Sequence, residues 1–263
     1  DDMPKKRAAL SAAEKKVLRD WIKAGAPWTL DYVDAATYVH DSHGSENWVR
    51  RLTIPEYVAT VKAVTGVEIG DEARRLLPPD MRADGFSNTA YNLKVDFKHV
   101  EAFAKLAKII VERMDVSAFA KRFHDKLTLD KQTRTLLERM GKWVLRGPLD
   151  ERETLLYRGI TTTMASGGAH FNEAVGSTIE AMLQSPRFIY RMEDQQTEGL
   201  VEEYELAVRM SYLLWGGPPD EELYRVAEKG ELGDRPRIEA QVRRMLGDPR
   251  AIEQSQRFIY DWL

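Results

Sequence analysis

Apolar residues recur along most of the chain at helical spacing, and polar residues occupy the positions between them. In the first such segment, Val17 and Trp21 lie about one helical turn apart, and Gly25 follows the last turn. Ser11 and Glu14 have the spacing of a capping box at a helix start. This pattern predicts an amphipathic helix that begins after Ser11 and ends before Gly25.

The same alternation of cap, apolar stripe and stop residue continues to the end of the chain. Further helices are predicted over residues 53–66, 96–113, 116–126 and 129–145, from 149 onward, over 170–184, and in the segments EEYELAVRMSYLLWGG, EELYRVAEKG, RIEAQVRRMLG and RAIEQSQRFIYDWL. No convincing series of alternating apolar and polar residues predicts a strand. The predicted class is therefore all-α, with a multi-helix, bundle-like body.

Two heptapeptides are nearly identical. QSPRFIY at 184–190 and QSQRFIY at 254–260 agree at six of seven positions, whereas their flanking residues differ. A true repeat would extend over a whole structural unit. We interpret the two as similarly built helical segments, each of which presents its Phe and Tyr to a core.

Composition and charge exclude several classes of protein. The chain has 39 basic and 42 acidic residues, mixed along its length, which argues against a nucleic-acid surface. No apolar stretch approaches the roughly 18–20 residues of a membrane span. Without cysteine, the chain has no iron–sulfur cluster and no thioether-attached haem. Since it starts at Asp1 and ends on Trp262 and Leu263 without a helix cap, we expect it to be part of a longer protein.

Several segments are long and specific enough to suggest a family. They are, in chain order, RRLTIPEY, LLPPDMRADGFSN, WVLRGPLDERE, AMLQSPRFIYR, YELAVRMSYLLWGGPPDEEL and QVRRMLGDPRA. They resemble the tandem domains of unknown function that follow a c-type cytochrome domain in large secreted proteins of planctomycetes and related bacteria. The resemblance covers nearly the whole chain, and it implies a cytochrome domain with a Cys-x-x-Cys-His motif before these helical domains and further domains after them.

The resemblance also implies a domain division and a haem ligand. Residues 1–28 would be the C-terminal remnant of a cytochrome c domain, 29–50 a linker, 51–195 a helical domain, and 196–263 a second helical domain that is incomplete at its C-terminus. By the same resemblance, the Met-Pro step would make Met3 the distal ligand of haem c in the intact parent, and its thioether is a donor that suits haem iron. No cofactor is expected in this chain itself.

Two short segments offer metal ligands. His40 and His43 could bind a metal with a further donor such as Asp31, Asp34 or Glu46, and the alternative is a solvated polar linker.

In the second segment, Asp80, Asp84 and Asn88 could place oxygen donors around calcium, with Gly85 allowing the turn. The spacing is not that of an EF-hand. The alternative is a structured loop in which Asp and Asn cap helix ends and Phe86 packs into the core.

These observations leave three hypotheses for function. The first is a helical module of an exported, periplasmic or extracellular c-type cytochrome fusion protein, related to electron transfer. Its partners would be the missing N-terminal haem-bearing segment, the C-terminal domains, and a redox or cell-surface partner. The second is a non-redox binding or scaffold module of a cell-surface assembly. The third is a metal-dependent hydrolase that uses residues 40–46 or 80–88, although no nucleophile, base and metal set converges in the sequence. Whether the chain is an enzyme stays open.

Overall fold

A computed structural model describes residues 11–24, 47–81, 93–129, 133–194 and 201–262. Two compact units make up the structure, Asp1–Gly44 and Ser45–Leu263. In the first, helix α1 spans Ala12–Lys23. The Ser11 hydroxyl accepts from the Glu14 N–H, and the Glu14 carboxylate accepts from the Ser11 N–H at 2.7 Å. The predicted capping box is therefore confirmed.

The second unit is built almost entirely of helices. Its elements are β1 (Asn47–Arg51), α2 (Ile54–Thr65), α3 (Gly70–Leu76), α4 (Phe97–Arg113), α5 (Val116–Lys121), α6 (Thr133–Val144), α7 (Glu151–Ser166), α8 (Phe171–Leu183), α9 (Pro186–Ile189), β2 (Tyr190–Asp194), α10 (Glu203–Trp215), α11 (Glu221–Glu228), α12 (Arg235–Leu246) and α13 (Pro249–Trp262). The predicted all-α class is confirmed. Within the described ranges, no helix is long and apolar enough to cross a membrane.

A two-stranded sheet joins distant parts of the chain. β1 and β2 pair in antiparallel orientation, with Arg50 opposite Arg191. The Leu52 N–H extends this pairing by donating to the Ile189 carbonyl at 2.9 Å. Neither strand was predicted, because each has only five residues: NWVRR shows no clear alternation, and the alternation in YRMED covers only four residues.

The core has a larger and a smaller part. The larger cluster lies among α2 to α9 and includes the fully buried side chains of Leu106, Leu137, Ile179 and Phe188. The smaller cluster joins α10 to α13 around Trp215, Leu223 and Met245. Tyr212 belongs to the larger cluster although it lies on α10. This helix therefore links the two parts of the core.

The two similar heptapeptides have different structures. Phe188 is fully buried next to β2, whereas Phe258 is 56% and Tyr260 75% exposed on α13. The expectation that both segments present their aromatic residues to a core is therefore wrong for the second. Pro186 begins the short α9 in the first segment, and the chain becomes extended at Tyr190. Residues 254–260, without that proline, continue α13.

Two glycines give opposite expectations for substitution by alanine. A Cβ on Gly141 in α6 would lie 2.6 Å from Leu149 Cδ1, and Leu149 packs against the core. Gly141→Ala should therefore lower the free energy of unfolding by about 1–3 kcal/mol. Gly159 in α7 has no neighbouring atom within 4 Å of its added Cβ, so Gly159→Ala should raise it by up to about 1 kcal/mol. Urea unfolding measures the free energy of unfolding of both variants. A change of the same sign in the two would contradict the packing described.

Candidate functional site

Of the predicted site residues, the described ranges contain Asp80, whereas Met3, His40, His43, Asp84 and Asn88 lie outside them. The Asp80 carboxylate accepts from Arg51 Nη2 at 2.7 Å and from the Ile54 N–H at 2.6 Å. Ile54 is the first residue of α2, so Asp80 caps a helix start, as the loop alternative expected. Calcium binding stays a prediction. Groups of three or more His, Cys, Asp or Glu that could hold a metal do not occur in the described part of the chain.

A buried ion pair lies at the end of β1. Arg50 donates to the two carboxylate oxygens of Glu56 at 2.9 and 2.7 Å. The same carboxylate accepts from the Thr53 N–H at 2.9 Å and from the Thr53 hydroxyl at 3.1 Å. Burial acts to raise the pKa of Glu56, but Arg50 and these hydrogen bonds outweigh it and the net shift is downward. Glu56 therefore caps α2 and neutralises Arg50 at once.

Arg191 of β2 lies near a second arginine, Arg50, and near the carboxylates of Glu193 and Glu56. It faces Arg50 across the strand pair, an arrangement of like charges that is unfavourable by itself. Glu193 accepts from Arg191 Nη2 at 2.5 Å, whereas the buried Arg191 Nε has no hydrogen-bond partner. Burial first, and then the charge of Arg50, lower the pKa of Arg191.

Arg209 of α10 is a third arginine of this cluster and lies next to Glu193. Arg209 Nε lies 3.5 Å from Glu193 Oε2, and Arg209 Nη2 also pairs with Glu205. Glu193 is thus shared between a guanidinium on β2 and one on α10.

These charged side chains form the floor of an open cleft of about 750 Å³. Its apolar walls are Leu213 and Leu214 of α10, Leu246 at the end of α12, and Phe258 and Ile259 of α13. An adjoining cavity of about 200 Å³ shares Arg191, Glu193 and Arg209 with the cleft and extends to Arg146 and Tyr204. The cleft therefore combines paired arginine and glutamate side chains at its base with aliphatic and aromatic side chains at its sides.

A chain of hydrogen bonds holds Tyr212 and the backbone of Glu56 in place beneath the cleft. Arg146 Nη1 donates to the Tyr212 hydroxyl at 3.2 Å, and that oxygen lies 2.7 Å from Thr60 Oγ1. Because the single Thr60 hydroxyl proton is donated to the Glu56 carbonyl at 2.6 Å, Tyr212 is the donor to Thr60. The order is therefore Arg146, Tyr212, Thr60, Glu56, which connects α2 and α10 to the loop after α6.

None of these floor residues was singled out from the sequence as a functional residue. Their positions nevertheless carry a signal, because they fall in the segments that suggested the family: RRLTIPEY contains Arg50 and Glu56, WVLRGPLDERE contains Arg146, AMLQSPRFIYR ends on Arg191, and YELAVRMSYLLWGGPPDEEL contains Arg209 and Tyr212. Segments far apart in the chain thus meet at one polar cluster.

Comparison with known proteins gives three family matches along the chain. PSD3, a protein of unknown function (DUF1587), matches residues 50–116. PSD5, a protein of unknown function (DUF1595), matches residues 132–193, and PSD4, a protein of unknown function (DUF1592), matches residues 201–263. Searches of the curated proteins and of the solved structures found no match. The cytochrome c remnant at residues 1–28 stays a prediction. The predicted tandem organisation is confirmed, because the chain carries the PSD3, PSD5 and PSD4 domains of unknown function, one after another.

Proposed function

We propose that the chain is a helical module of an exported c-type cytochrome fusion protein, located in the periplasm or outside the cell. In this proposal, the cleft holds the partner or substrate that the cytochrome domain meets. The cleft between β2, α10 and α13 carries the binding role, because its apolar walls stand open above a charged floor. The redox role rests on the resemblance of six segments, from RRLTIPEY to QVRRMLGDPRA, to domains that follow a c-type cytochrome domain.

A second candidate is a binding or scaffold module of a cell-surface assembly without a redox role. The exposed apolar side chains of α13 favour it: Ile252, Phe258 and Ile259 lie largely open on one helix. Exposed apolar surface of this kind is typical of contact sites between proteins.

An absorption spectrum of the native protein that contains this chain separates the two candidates. We expect a Soret band that shifts on reduction with dithionite, carried by a polypeptide larger than 30.1 kDa. The recombinant chain 1–263 is the control and should show no such band after exposure to haem. A native complex with stoichiometric partner proteins and no haem absorbance would contradict the fusion proposal and support the scaffold.

A further inference from the structure

We draw no further inference here: the strongest candidate, the exposed apolar face of α13 with Ile252, Phe258 and Ile259 beside the cleft, carries none, because nothing in the described part of the chain shows what covers it.

Discussion

Replacement of Arg146 by alanine is expected to lower the free energy of unfolding of the second unit by at least about 3 kcal/mol. The buried guanidinium donates to the Phe188 carbonyl at 3.1 Å, to the Tyr190 carbonyl at 2.8 Å and to the Tyr212 hydroxyl at 3.2 Å, and it also contacts the Arg187 carbonyl. Hydrogen bonds from a charged group contribute about 1.5–3 kcal/mol each, and the buried acceptors would be left without this donor.

The backbone conformation of Arg146 allows a control variant that separates the contribution of the side chain from backbone strain. Its φ of 62° lies in the left-handed region, where a residue with a Cβ costs about 1–2 kcal/mol. Gly147 donates to the Lys142 carbonyl at 3.0 Å, the hydrogen bond of a Schellman motif, in which glycine normally occupies the position that Arg146 holds. Arg146→Gly removes the side chain and also the strain. It should therefore be more stable than Arg146→Ala by about 1 kcal/mol, yet well below the wild type.

Urea unfolding followed by tryptophan fluorescence and by circular dichroism measures these differences. In Arg146→Ala we also expect the two probes to separate, because α10 loses its link to the loop after α6. A glycine variant as stable as the wild type would show that the guanidinium contributes nothing beyond the backbone strain, which would contradict this account.

Replacement of Glu56 by glutamine is expected to destabilise the second unit by about 3–5 kcal/mol, because it removes one partner of a buried ion pair. Glutamine has the size of glutamate, but it leaves Arg50 without a negative partner. One end of the glutamine amide is a donor, so it cannot accept from both Arg50 N–H groups as the carboxylate does. Arg191 lies opposite Arg50, so the cost includes repulsion between two guanidiniums.

The same pair produces a defined dependence on pH. The pKa of Glu56 is lower in the folded protein than its ordinary value, so its contribution to stability is fully present above about pH 4.3. That contribution disappears as the pH falls through the folded-state pKa. The difference in stability between the wild type and Glu56→Gln should therefore be constant near neutral pH and shrink in acid. A difference that grows as the pH falls would contradict the assignment.

Glu101→Gln is the matched control for this pH series. Glu101 pairs with Lys105 on α4, and both side chains are more than half exposed. Because solvent and salt screen such a pair, its loss should leave the unfolding midpoint nearly unchanged.

The helices were predictable from the sequence because their signals are local. Thr53, Asp150 and Asp220 each accept a hydrogen bond from the first turn of the helix that follows them. Each of these caps acts over three residues, so the sequence alone shows both partners. The predicted helix over 116–126 is shorter in the structure, where α5 ends at Lys121.

The sheet and the cleft were not predictable in this way, because they depend on contacts between distant segments. Nothing near Arg50 in the sequence shows that a strand containing Arg191 will lie beside it. The walls of the cleft also include Phe258, which the helical pattern placed in a core. Amphipathic spacing shows that a helix has an apolar face, but it does not show whether another element covers that face.

The three domains of unknown function form one body in the structure rather than three. The unit Ser45–Leu263 contains all three matched segments. β1, which ends inside the PSD3 match, pairs with β2 at the end of the PSD5 match. Tyr212 of the PSD4 match packs into the larger core and forms hydrogen bonds with Arg146 and Thr60. We therefore expect the domains to unfold together, with the cleft present only when all three are folded.

Native-state hydrogen exchange on the full chain tests this central claim most directly. The account predicts that the amides of Leu106 in α4, Ile179 in α8 and Tyr212 in α10 exchange through a common opening, with the same free energy and the same dependence on urea. If the Tyr212 amide instead exchanges through a separate opening of lower free energy, with Leu106 and Ile179 still protected, PSD4 folds independently and the account is contradicted.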